Sequence, residues 1–479
     1  MENPFPPQEN LFLPSFFSSK AISLFFLTLV AVSVLFYKHL LPFIWMVFAT
    51  AEVVGFFYFT QLLSRRWRGH SVKKFTKELF TTSLIIHAVW VVFAYFFYIY
   101  MSGEPFEFAA ADSHGYVANG LNFANLIRQG HFLSIFANKG MDVSDMGFPL
   151  WLSFLDLTIG SSLILQRLVH AAFSAWTAVL LYRLTGRNFG ESAGRLAGIM
   201  FMLLPNFFFY VGIHLKETMM IFFVVLFVEQ ADQLLRGERF NIKNFVWTVV
   251  TILIFFLFRT ALGITAIFAL ITALVFSKGQ HIKKWGKRFV ISGWVLLALS
   301  LFLTTRMANE VEELYQYRNQ NQTESYRWRA TEQGGNSYAR YGTMALFLPM
   351  IFTMPFPTFT LANDEQKNQM MFSGGYFDRN VYSFFVIAAL LFLIKRHQWR
   401  EHLLIVTFLV TYLLIIAKSA FAQSERFHLP AVPFLLALAA YGMTQIGKKE
   451  RKWYVPFLVL VFFAIVAWNW FKLAGRGLA

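Results

Sequence analysis

The chain has 479 residues, of which 57% are hydrophobic and 14% charged, with 59 Phe, 13 Trp, no Cys and a mean hydropathy of +0.51. Soluble domains carry roughly a quarter charged residues, so an ordinary soluble fold is excluded, and disorder fails for want of polarity. Without Cys there are no disulfide frameworks, thiolate metal sites or cysteine nucleophiles.

In chain order, apolar stretches of bilayer-spanning length run over 21–37, 43–63, 79–101, 162–184, 193–213, 215–235, 244–258, 260–277, 289–305, 381–394, 403–417, 429–446 and 453–471, which predicts about thirteen transmembrane helices. The amino terminus lacks a charged n-region and an A-x-A cleavage site, so 21–37 is expected to stay as the first span. Alternate connectors are strongly basic: 64–78, 183–195, 236–243, 278–288, 395–402 and 447–452. The positive-inside rule makes these connectors, with the amino terminus, cytoplasmic. With Glu229 and Asp232 near the end of the span 215–235 counted on it, that side carries 25 Lys and Arg against 9 Asp and Glu; Arg167 and Glu52 within spans cancel, so the whole formal charge of +16 falls on it. Insertion accounts for the basicity, and nucleic acid is not needed as a partner.

Two apolar segments do not fit as full spans. Residues 148–160 are half a bilayer long, and 344–360 contain Pro349, Pro355 and Pro357. Counting either as a crossing would invert the basic loops, so both are expected at the outer interface or dipping into it. The organisation expected is an all-α polytopic membrane protein: N-terminal spans in 1–101, a first large outer loop with juxtamembrane helices in 102–161, central spans in 162–305, a second outer loop with the proline-rich segment in 306–380, and C-terminal spans in 381–479.

Chemistry is expected where charge meets the outer boundary. Asp112, His114 and Tyr116 open a helix-like run; Asp112 either caps that helix, worth about 1 kcal/mol, or serves as a base at the mouth of a membrane cavity. Between the fifth and sixth spans stand His214, Lys216 and Glu217. Lys216 can snorkel to headgroups, while Glu217 at the start of a long apolar helix is a dipole partner or a group kept for chemistry. Arg259 interrupts two apolar runs, and Glu425, Arg426 and His428 precede the prolines of the twelfth span. Lys216, Arg259 and Arg426 at one depth suit a lipid phosphate, which Arg grips bidentately. Arg167 lies close enough to the outer end of its helix to snorkel or to join them. The stretch 306–343 is polar and aromatic, equally a sugar platform or a solvated lid, and Asn321-Gln322-Thr323 matches a glycosylation sequon. There is no H-E-x-x-H, P-loop or G-x-G-x-x-G.

Asp112 with Tyr116, the stretch from Gly147-Phe148-Pro149-Leu150 through Tyr210 to Lys216-Glu217, and Ser424-Glu425-Arg426-Phe427-His428-Leu429-Pro430-Ala431-Val432-Pro433 together resemble the GT-C superfamily of polyprenyl-phosphate-sugar-dependent glycosyltransferases, in particular the bacterial family related to protein O-mannosyltransferases and the aminoarabinose transferase of lipid A. The resemblance implies a GT-C fold in a bacterial inner membrane, cytoplasmic amino terminus and an active site at the periplasmic face. It implies Asp112 as base, Lys216, Arg259 and Arg426 as donor-phosphate ligands, and His114, Tyr116 and His428 at the substrate. The donor would be a polyprenyl-phosphate-linked sugar, the acceptor a glycan, lipid or protein hydroxyl. The resemblance makes no cofactor certain; a divalent metal ion, as in oligosaccharyl relatives, is the candidate. Many relatives carry an Asp-Glu pair where this chain has Asp112-Ser113, so a second carboxylate must come from Glu217 or Asp145. The other readings of the same features are an O-antigen-type polymerase or ligase and a lipid-linked sugar transporter or flippase.

Overall fold

Backbone N–H and C=O groups in hydrocarbon have no water to bond, so apolar runs of this length close their hydrogen bonds internally as helices. The computed structural model describes residues 13–137, 141–237, 240–276, 324–331, 335–361 and 371–478, with Gly293 and Gln322 standing alone. Setting single-turn segments aside, the helices are α1 (Ser15–Leu35), α2 (Phe43–Arg66), α3 (Val72–Ser102), α4 (Ala111–Arg128), α5 (Phe132–Ala137), α6 (Val143–Ile159), α7 (Leu163–Phe189), α8 (Glu191–Met202), α9 (Pro205–Val211), α10 (Glu217–Arg236), α11 (Ile242–Phe258), α12 (Thr260–Phe276), α13 (Ser373–Lys395), α14 (Trp399–Lys418), α15 (Glu425–Gln445) and α16 (Lys448–Ala474). The only β feature among the described residues is a bridge between Leu40 and Thr360.

The chain is a helical, multi-pass membrane protein. Among the described residues nine helices are long and apolar enough to cross a bilayer, and the bent pair α8–α9 makes a tenth. The short helices α11 and α12 fall just below that length, and the expected span 289–305, Gly293 apart, lies outside the described residues.

The span expected over 193–213 is broken, with a 54° bend between α8 and α9. Pro205 opens α9 and holds Leu204 extended, as a residue before proline prefers. At α3 the helix starts seven residues before the apolar run, because Ser71 caps it by accepting from the Lys74 amide at 3.3 Å.

The two segments that resisted assignment behave differently. Residues 148–160 lie in α6, whose 17 residues fall short of the roughly 20 a span needs. Residues 344–360 form one helical turn, Met344–Phe347, a 3-10 turn, and then irregular chain buried against α13 and α16. Asn469 accepts from the Phe359 amide at 2.7 Å and donates to the Pro357 carbonyl at 3.1 Å; Asn380 donates to Pro355 at 3.0 Å, and Ser373 to Thr358 at 2.9 Å. Non-helical backbone survives inside the bundle because these side chains satisfy it.

At the centre, α7 packs against α3, α8 and α10; α4 lies on α6, α6 on α11, and α13 on α2 and α15. The turn from α7 to α8 is tight enough that a Cβ on Gly194 would stand 2.7 Å from the Gly186 Cα. Glycines let two helices approach where neither has a hydrophobic drive to leave lipid.

Candidate functional site

One end of the bundle gathers the start of α4, the start of α6, the turn before α10, the break between α11 and α12, and the start of α15. Arg426, on the first turn of α15, donates from Nη1 to Asp112 Oδ2 and from Nε to Glu217 Oε1. Glu217 is fully buried as the first residue of α10, and its Oε2 has no hydrogen bond among the described residues. The Asp112 side chain is 58% exposed, so of the two carboxylates it is the one a solvent-borne hydroxyl reaches.

Arg259 approaches the same Glu217 Oε1 at 3.7 Å. Its backbone is extended between α11 and α12, breaking the helix where the guanidinium turns inward. There it stacks over the Phe427 ring at 4.2 Å and donates from Nη1 to the Tyr412 hydroxyl at 3.1 Å, which in turn donates to the Phe427 carbonyl. Gly147 makes room for this, since a Cβ there would sit 2.7 Å from the Leu257 carbonyl oxygen.

Lys216 lies beside them, donating to Asp145 Oδ1 and to the Ser144 carbonyl. Tyr116 donates to the same Asp145 oxygen at 3.4 Å, beneath the lysine. Burial pulls the Lys216 ammonium below the ordinary lysine value of 10.5, against the opposing pull of Asp145. Burial likewise raises the Tyr116 phenol, helped by Asp145. Three cations and three carboxylates thus interlock, with a charge partner for each.

A second layer lies behind. Arg167, fully buried, neither snorkels nor joins the cation set: it donates from Nε to His214 Nδ1 at 2.9 Å and from Nη2 to the Pro105 carbonyl at 2.5 Å. His214 therefore carries its proton on Nε2, facing Gln166 Oε1 at 3.3 Å, and burial holds the ring neutral. Glu107 accepts from Ser113 at 2.6 Å, and burial raises its carboxyl above the usual 4.5.

The structure decides between the two readings of Asp112 and places both histidines apart from the cluster. Asp112 is not a cap: Ala110 holds the N-cap position without a side-chain bond, and Asp112 lies inside the first turn, with its carboxylate drawn to Arg426. His114 pairs with exposed Glu104 at 3.2 Å and stacks on Phe106, aside from the cluster. His428 is buried away from it, between Arg379 at 2.9 Å and the Ala422 carbonyl at 2.8 Å. Glu425 also faces away, pairing with Asn206 at 3.0 Å and Arg379 at 3.5 Å. Of the residues singled out in sequence, the structure brings together Asp112, Tyr116, Lys216, Glu217, Arg259 and Arg426, with Asp145 as the third carboxylate. Glu107 and Arg379 were not singled out; Glu107 lies between Phe106 and Phe108 in the loop after α3, and Arg379 lies between Asp378 and Asn380 just before the apolar run 381–394.

Among the described residues no group of three His, Cys, Asp or Glu side chains is placed to hold a metal ion. The stretch 306–343 is described only at 322, 324–331 and 335–343, and Asn321 and Thr323 of the sequon fall outside. No protein-family model matches this chain, and no curated protein matches it.

Proposed function

We propose that the protein is a GT-C-type inverting glycosyltransferase of about thirteen spans, moving a sugar from a polyprenyl-phosphate donor to a hydroxyl acceptor. The observation that supports this reading is one accessible carboxylate, Asp112, tied to a cation, Arg426, within a group of three cations drawn from separate segments of the chain. By the positive-inside rule this end faces away from the cytoplasm of a bacterial inner membrane.

In the proposed reaction the acceptor hydroxyl gives its proton to Asp112 as its oxygen attacks the anomeric carbon. The new glycosidic C–O bond forms on the face opposite the leaving group, and the anomeric C–O bond to the lipid phosphate breaks. Its electron pair stays on the phosphate oxygen. Arg426 and Arg259 stabilise that developing charge, with Lys216 as the third cation. Tyr116 steadies Asp145 and so the position of Lys216. Glu217, too buried to meet an acceptor, holds the two arginines in register. These steps use side chains alone.

The test is genetic and chemical. A strain lacking the chain is complemented with the wild type or with Asp112→Asn, and its surface glycans are weighed by mass spectrometry. The wild type restores a mass increment of one sugar, and Asp112→Asn inserts normally but restores none, since loss of a general base costs about a hundredfold to ten-thousandfold. Full restoration by Asp112→Asn overturns the base assignment. Loss of polymer length instead of one sugar selects a polymerase or ligase, and accumulation of donor on the cytoplasmic leaflet selects a flippase.

A further inference from the structure

At the opposite end of the bundle, where α3 begins and α7 ends, these two helices border a pocket of about 840 Å3. Lys73 and Lys77 stand one turn apart on α3, and Arg183 and Arg187 one turn apart on α7, all lining it. Arg187 is already committed to Glu229 and to Asp232, the latter at 2.7 Å, and the acidic member of the pocket, Glu191, is held by Arg195 at 2.7 Å and by the Tyr182 hydroxyl at 2.7 Å. Lys73, Lys77 and Arg183 are exposed and have no carboxylate within ion-pair distance among the described residues.

The pocket is not basic throughout. One to two turns further along the same helices its wall becomes Phe80, Trp176 and Val179, with Trp176 half exposed on the outside of the bundle. Orientation signals require only that basic residues lie in the connectors. Here i, i+4 pairs on two neighbouring helices point into one concavity, and apolar rings continue it toward the middle of the bundle. A free phosphate has no use for the rings, and a neutral lipid has none for the cations. An anionic headgroup with an acyl chain uses both.

We infer that this pocket binds an anionic phospholipid, its phosphate held by Lys73, Lys77 and Arg183 and one acyl chain laid along Phe80, Val179 and Trp176. Arg supplies a forked grip on phosphate oxygens and the two lysines supply charge without fixed geometry. Each basic side chain near a membrane surface is worth a several-fold gain in affinity for anionic lipid. The site is independent of the cluster at the other end and of the transfer reaction proposed there.

The full chain in detergent is titrated with phosphatidylglycerol, with phosphatidylcholine of the same acyl chains, and with sodium phosphate, and bound lipid is counted by native mass spectrometry beside thermal unfolding. Saturable phosphatidylglycerol binding is expected, with Lys73→Gln/Lys77→Gln/Arg183→Gln weakening it about a hundredfold and leaving phosphatidylcholine unchanged. A second variant, Val179→Trp, keeps every charge and fills the apolar depth; it weakens phosphatidylglycerol too. The inference is overturned if the wild type binds the two lipids equally, if the triple variant keeps its preference, if Val179→Trp has no effect, or if sodium phosphate alone reproduces the protection.

Discussion

Arg426 reaches Asp112 across 314 positions of sequence, and the same guanidinium holds Glu217 with its other edge. One planar side chain therefore joins α4, α10 and α15. A lysine supplies a point charge and cannot present two edges. Arg426→Lys is expected to keep insertion while loosening one carboxylate, and Arg426→Ala to leave Glu217 buried with only the 3.7 Å approach of Arg259. Removing one partner of a buried pair costs about 3 kcal/mol, which chemical denaturation in detergent would read. Arg426→Ala/Glu217→Gln should recover most of it, because the stranded charge is gone.

Arg259 is expected to serve anion binding more than stability. Its backbone break, the Phe427 ring and Tyr412 hold its guanidinium in place before any ligand arrives. Arg259→Ala should weaken binding of a polyprenyl-phosphate analogue by about a hundredfold, measured by displacement of a fluorescent analogue. Tyr412→Phe keeps the charge and removes the hydroxyl with its bonds to Arg259 and the Phe427 carbonyl, and should cost several-fold; equal losses in the two variants would mean that the charge itself contributes nothing.

Lys216 gives a pH signature. Burial lowers its ammonium from 10.5 while Asp145 resists. The charged form, which attracts phosphate, is present below the lowered value and disappears as pH rises through it. Affinity for the analogue should therefore fall with rising pH before 10.5 is reached, whereas Lys216→Arg should hold its affinity over the same range. A flat wild-type profile would remove Lys216 from the anion site.

The chain's apolar helices were legible because a bilayer leaves hydrophobic run length as a direct readout of crossing. The set Lys216, Arg259 and Arg426 was legible for the same reason, since charge at the edge of an apolar run is costly without a purpose. Partners were not. Nothing in the spacing of Asp145 or Glu107 indicates which cation each faces, and whether Asp112 caps its helix or leaves it for Arg426 depends on a residue on another helix. The break at Leu204 and Pro205 could have been read, because a proline there ends a helix; run-length averaging over 193–213 hid it.

Glu107 gives a second pH signature, this time in stability. Burial raises its carboxyl above 4.5, opposed by Ser113, Arg167 and Arg426. A carboxyl whose folded value exceeds its unfolded value binds its proton more tightly when folded. Stability is thus greatest below the unfolded value, declines as pH climbs from there to the raised folded value, and is level beyond it. Melting temperatures across that window should show the decline in the wild type and lose it in Glu107→Gln.

Because Arg426 already leans on Asp112, an incoming phosphate and that carboxylate compete for the same guanidinium edge. In the proposed reaction, filling that anion seat and releasing the carboxylate that serves as base are then a single event. With the seat vacant, the exposed carboxylate stays in its ion pair with Arg426, which lowers its power to take a proton.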